Sequence, residues 1–174
     1  MTMNNKILFM ASLLLFSCFS FATNNYSIYL VRHAEKLDNS KDPKLSKCGK
    51  QRAQQLSKIL SKANISAIYS TKYQRTMQTA EPMSRLEQLK IQHYDPNNLE
   101  FFSRQLKQEK RNTLIVGHSN TTPVLTELLA QQKVAPLTED NYQYLYQVHI
   151  LNDQPMLTIL QQPTSCQTIN KGSK

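Results

Sequence analysis

The sequence predicts an α/β fold of three layers, α/β/α, around a mostly parallel central sheet with a closing C-terminal hairpin. Three observations lead there. Short apolar runs at 29–31, 65–70, 91–94 and 113–116 alternate with stretches whose apolar residues recur at helical spacing, the order from which parallel sheets with covering helices are built. The runs at 65–70 and 113–116 are apolar enough for strands buried on both faces. Finally, strand-like runs at 142–151 and 156–160 meet through Asn152-Asp153, a hairpin turn by composition.

Each element has a local cause. The first strand runs through Tyr29-Leu30-Val31 into Arg32-His33, so that pair stands where a buried strand leaves the sheet. A polar loop, 35–44, comes next. Ser46 is a candidate N-cap for a helix of about 16 residues, with Gly49, Ala53, Leu56 and Leu60 on one stripe and a close approach to the sheet expected at Gly49. After the strand 65–70, Ser70 and Thr71 are candidate caps for a helix that places Arg75 in its first turn, and Pro82 should bend or limit it. The strand at 91–94 leads to the turn cluster Asp95-Pro96-Asn97-Asn98 and a basic amphipathic helix over 99–110 with Leu99, Phe102 and Leu106 inward. The clearest buried strand, 113–116, ends at Gly117-His118-Ser119-Asn120. Thr121 or Thr122 should then cap a helix with Pro123 in its first turn and Val124, Leu125, Leu128 and Leu129 as its apolar face.

Outside this framework, residues 1–22 have the form of an export signal: Lys6, an apolar run from 7 to 21, and Ser20-Phe21-Ala22 as a small-x-small cleavage site. Cleavage near Ala22 implies a periplasmic or secreted protein, with lipoprotein anchoring at Cys18 the lesser alternative. It leaves one domain over 23–162 and a polar tail over 163–174. Loss of Lys6 lowers the formal charge from +9 to +8, which favours anionic small molecules or surfaces and at most peripheral membrane association. The Lys and Arg are scattered over predicted helices without a basic arm or basic-aromatic motif, so nucleic acid is not an expected partner. An oxidising compartment permits a bridge between Cys48 and Cys166, and neither has metal-site spacing. Oligomeric state is not encoded legibly.

Three predicted strand ends therefore present Arg32-His33, Arg75 and His118. A parallel sheet brings them to one edge, and two guanidinium forks with two imidazoles suit a phosphoryl group. Other motifs fit less well. Ser119 lacks GxSxG spacing, His33 and Glu35 do not form HExxH, and His93 and His149 fall on strands. Tyr142, Tyr144 and Tyr146 alternate at strand period, as one face of an outer strand would.

Four blocks carry a resemblance: Leu30-Val31-Arg32-His33-Ala34-Glu35, Leu45-Ser46-x-x-Gly49-x-x-x-Ala53, Tyr69-Ser70-x-x-x-x-Arg75-Thr76-x-x-Thr79-Ala80 and Val116-Gly117-His118-Ser119-Asn120. In order and spacing the chain resembles the histidine phosphatase superfamily, phosphoglycerate mutase-like branch. The resemblance implies a metal-independent, cofactor-free phosphatase that hydrolyses phosphate monoesters through a phosphohistidine on His33, with Arg32, Arg75 and His118 holding the phosphoryl group. Ala34 stands where the family usually has glycine. The family's general acid has Asp95 as first candidate here, with Glu100 and Glu35 as alternatives. Only 42 residues separate Arg75 from His118, which leaves little for a lid and favours hydrolysis over mutase chemistry. The competing class is a non-catalytic exported protein that binds phosphate or an anionic surface glycolipid in the same pocket.

Overall fold

The computed structural model describes residues 25–163. The stretch expected to be an export signal, Cys18, Cys166 and nearly all of the polar tail lie outside the described residues, and no described helix is long and apolar enough to cross a membrane. The chain order is β1 (Tyr26–Arg32), α1 (Lys47–Ile59), β2 (Ala67–Ser70), α2 (Gln74–Glu87), β3 (Ile91–His93), α3 (Leu99–Glu109), β4 (Thr113–Gly117), α4 (Thr121–Ala130), β5 (Tyr144–Leu151) and β6 (Gln154–Gln161). One sheet holds the strands in the order β3-β2-β4-β1-β5-β6. The β3, β2, β4 and β1 pairings are parallel, while β5 and β6 are antiparallel. The mostly parallel sheet and closing hairpin are thus as expected.

Strand alternation divides the core in two. Ile28, Leu30, Tyr69 and Ile115 pack with Phe102 and Leu106 of α3 and Leu125 and Leu129 of α4. Their neighbours Val31, Ile68, Leu114 and Val116 pack with Leu56 of α1 and Ala80 and Met83 of α2. Because successive side chains point to opposite faces, the central strands must be apolar throughout, which is why they lack a polar alternation. Fully burying each such side chain contributes about 1.5–3 kcal/mol.

Several local expectations change. Ser46 does cap α1, its hydroxyl accepting from Gly49 N–H at 3.0 Å. Gly49, however, faces the backbone of Glu35 rather than the sheet: a Cβ there would collide with the Glu35 carbonyl. The α2 helix starts after Tyr73, with no side-chain cap, so Ser70 and Thr71 lie before it. Pro82 sits inside α2, which continues to Glu87 because Met83 beyond it is buried in the core. Asn120, not Thr121 or Thr122, precedes α4, and Val124 is exposed. The hairpin turn does fall at Asn152 and Asp153, both with positive φ of 51° and 61°, as a two-residue loop between right-twisted strands requires. Cys48 is disulfide-bonded.

Candidate active site

The carboxyl ends of β1, β4 and β2 are neighbours in the sheet, so the residues leaving these three strands converge. The edge is fastened by backbone and hydroxyl bonds. His33 N–H donates to Gly117 O at 2.9 Å. Ala34 N–H donates to Thr79 Oγ1 at 3.0 Å, and that hydroxyl donates to Arg75 O at 2.7 Å. The Thr76 hydroxyl donates back to Tyr73 O at 2.9 Å. The threonines of the third sequence block therefore position the strand tips against one another.

A cavity of about 380 Å³ opens over this edge, with Arg32, His33, Arg75 and His118 in its lining beside Lys36, Tyr73, Ser119 and Glu139. His33 is buried, and its Nδ1 lies 2.8 Å from Ala34 O. A carbonyl only accepts, so in the neutral ring the proton resides on Nδ1 and Nε2 keeps its lone pair. By the same logic Arg75 Nη2, 3.4 Å from His118 Nδ1, makes that nitrogen the acceptor, and Nε2–H donates to Thr71 Oγ1 at 2.9 Å. Burial first, then Arg32, Arg75 and His118, depress the His33 pKa to about 3 against the opposing pull of the Ala34 carbonyl. Burial, then Arg75 and Arg32, bring His118 down to about 4. Both rings are neutral at physiological pH, and burial rather than the cations is the larger cause.

Each arginine lies against a tyrosine. The Arg32 guanidinium carbon is 4.3 Å from the Tyr142 ring centre and that of Arg75 is 4.4 Å from Tyr73, contacts that hold the planes of both forks. Arg32 Nη1 donates to Thr138 O and Glu139 O, each at 2.8 Å, and Nη2 to Glu139 Oε2 at 2.9 Å. Arg75 is less satisfied. Among the described residues its buried Nε and Nη1 have no hydrogen-bond partner, nor has Arg32 Nε, and Asp42 Oδ1 stands 3.8 Å from Arg75 Nη1. Buried guanidinium donors without acceptors, at a cavity carrying net positive charge, make a site for an anion with several oxygens.

The three carboxylates singled out from the sequence do not line this cavity. Asp95 is exposed and turns back on its own loop, accepting from Asn97 N–H at 2.9 Å and Asn97 Nδ2 at 3.0 Å. Glu100 is exposed in the first turn of α3. Glu35 is committed to Arg52, with contacts of 2.6 Å to Nη2 and 2.9 Å to Nε. Glu139 and Tyr73 line the cavity instead, and Tyr142 packs against Arg32 and His33. Tyr142 precedes β5, and the strand carrying Tyr144 and Tyr146 is not an outer one, since β5 pairs with both β1 and β6. Among the described residues no cluster of His, Cys, Asp or Glu could hold a metal ion.

Residues 28–96 match the model of the histidine phosphatase superfamily, branch 1. The family resemblance drawn from the four blocks holds, and the six-stranded architecture is the phosphoglycerate mutase-like fold. The protein histidine phosphatase SixA complexed with tungstate superposes with a TM-score of 0.64 at 14% identity, over 78% of this chain and 96% of that one. A phosphoserine phosphatase from Entamoeba histolytica in complex with 3-phosphoglyceric acid gives 0.62 at 15% identity, over 79% and 98%. A mycobacterial glucosyl-3-phosphoglycerate phosphatase gives 0.62 at 11% identity, over 79% and 98%. At these identities the histidine phosphatase likeness is one of fold. No curated protein sequence matches the chain.

Proposed function

We propose that this protein is a phosphatase that hydrolyses phosphate monoesters through a phosphohistidine on His33. The observation that carries the reading is the buried, neutral His33 whose Nδ1 is occupied by Ala34 O, beside two arginines with unpartnered buried donors in one cavity. The reading assigns the phosphoryl group to Arg32, Arg75 and His118. Nε2 of His33 attacks phosphorus in line, the alcohol leaves, and water then attacks the phosphohistidine to release inorganic phosphate. The guanidinium forks supply the fixed positive charge that such a transition state needs, so the reaction is proposed to run without metal. Phosphatases among the structures of like fold, and the match to the histidine phosphatase superfamily, support the same class.

The cavity is open and polar, which suits a phosphorylated small molecule presented from solution. The same proposal has this activity outside the cytoplasm, on the reading of residues 1–22 as an export signal.

The test is release of phosphate from p-nitrophenyl phosphate by the chain, in excess chelator, beside His33→Ala. Release that persists in chelator and vanishes in the variant supports the enzyme. Tight anion binding without release, in a folded protein, would instead favour a phosphate- or glycolipid-binding role for the pocket.

A further inference from the structure

Glu139 lies on the segment between α4 and β5, with its side chain 69% exposed. Yet both its oxygens are engaged by groups that line the cavity. Oε1 accepts from Ser119 Oγ at 3.0 Å and Oε2 from Arg32 Nη2 at 2.9 Å, with Lys36 Nζ 3.8 Å from the same oxygen. A carboxylate bridging an arginine fork and a hydroxyl presents two oxygens to two donors much as a phosphoryl group would. Its backbone is anchored as well, because Arg32 Nη1 binds the carbonyls of Thr138 and Glu139. The side chain is therefore free to swing out while its Cα stays at the cavity wall.

We infer that Glu139 is the proton-transfer residue of the site: an arriving phosphoryl dianion displaces its carboxylate from Arg32 and Ser119, and the displaced group serves the leaving oxygen. This assignment rests on the phosphohistidine reading above. The groups facing Glu139 are Arg32, Lys36, Ser119 and Tyr142. In the free protein Ser119, Arg32 and Lys36 hold its pKa below the ordinary carboxylate range. Substrate removes the first two contacts and sets a dianion beside the carboxyl, and both changes raise its proton affinity.

The proton balance closes over two steps. In the first, the lone pair of His33 Nε2 forms the N–P bond and the P–O bond to the alcohol breaks. Glu139 takes up a proton from solvent when the dianion displaces it, and that proton passes to the departing oxygen, giving phosphohistidine, alcohol and carboxylate. In the second, that carboxylate takes a proton from the attacking water as its oxygen bonds to phosphorus and the N–P bond breaks. Phosphate and neutral His33 result, with Glu139 protonated again. The regained proton returns to solvent as phosphate leaves and Glu139 re-pairs with Arg32.

Leaving-group dependence separates this role from a structural one. A p-nitrophenolate departs without a proton, whereas ethoxide does not, so a general acid matters for one and hardly for the other. The wild type and Glu139→Gln are compared in the pre-steady state, measuring phosphohistidine formation from p-nitrophenyl phosphate and from ethyl phosphate. The expected result is a loss of roughly 10²-fold or more with ethyl phosphate and a p-nitrophenol burst rate within a few-fold of wild type, followed by slower steady turnover. Equal losses with both substrates, or none with ethyl phosphate, would overturn the assignment while leaving the phosphatase reading intact. A wild type that forms no phosphohistidine from either ester overturns that reading, and this one with it. Because the side chain is exposed, the variant should fold, and unchanged thermal unfolding verifies that.

Discussion

Of the arginine–carboxylate pairs near His33, Arg52–Glu35 and Arg32–Glu139 are built for opposite purposes. In Arg52–Glu35 the side chains are 7% and 20% exposed, with the guanidinium fork closed on the carboxylate at 2.6–3.1 Å. Glu35 is held further by Ser46 N–H on its carbonyl and by Gly49 packed over its backbone. That pair fixes the loop after β1. In Arg32–Glu139 the arginine is 2% exposed and the carboxylate 69%. One partner is locked and the other can leave. An ion pair sealed on both sides serves the fold, whereas one sealed only on the cation side leaves the cation available to a competing anion.

The largest effect that sharpens this contrast is on catalysis. Arg32→Ala removes a proposed phosphoryl donor and the anchor of Thr138 and Glu139, and turnover of p-nitrophenyl phosphate should fall by roughly 10³-fold. An Arg32→Ala protein with near-normal turnover would show that the open pair is ornamental. Next comes stability. Glu35→Gln leaves the Arg52 charge buried without its carboxylate, for a predicted loss of about 3 kcal/mol in unfolding free energy. Denaturant titration checks this, and a change below about 1 kcal/mol would mean the inner pair is not sealed as described. The same titration on Glu139→Gln should cost about 1 kcal/mol or less, because solvent reaches the carboxylate side of this pair and Arg32 keeps the carbonyls of Thr138 and Glu139. Comparable losses at the two glutamates would erase the distinction.

The smallest expected effect is an absence. With pKa values near 3 and 4, neither His33 nor His118 should titrate between pH 8 and 5, which side-chain NMR of labelled histidine reads directly. The corresponding stability change has a definite sign. An unfolded histidine takes up its proton near pH 6.5, well above the folded values, so the unfolded chain binds more protons in that window. The contribution of these neutral rings is full above about pH 6.5 and is lost progressively toward pH 4 and then 3. A histidine shift near pH 6.5 from either ring would contradict the burial that keeps His33 neutral.

The same contrast between local and distant partners explains which features were legible in the sequence. Arg32, His33, Arg75 and His118 sit directly at strand tips or in a first helical turn, where a local pattern carries its own position in the fold. The helix N-cap at Ser46 and the turn at Asn152-Asp153 were legible for the same reason: each is specified within a few residues. Glu139, Tyr142 and Tyr73 were not, because nothing in their neighbourhoods signals a partner. Glu139 reaches Arg32 across 107 positions of chain, by way of a segment without regular structure. Tyr142 mimicked the strand period of Tyr144 and Tyr146 although it lies just before β5. Asp95 was attractive because it comes after a strand, and Pro96 and Asn97 of its loop do line the cavity, but the Asp95 carboxylate itself turns back onto Asn97. Pro82 failed as a helix stop because tertiary burial of Met83 outweighs one lost backbone bond.

The central claim is that His33 carries the phosphoryl group, and isolating the phosphorylated intermediate tests it most directly. Rapid quench of the protein with phosphorus-labelled p-nitrophenyl phosphate should yield acid-labile, base-stable label on the peptide containing His33, absent from His33→Ala. Label on Ser119, or steady hydrolysis by folded His33→Ala at the wild-type rate, would contradict it.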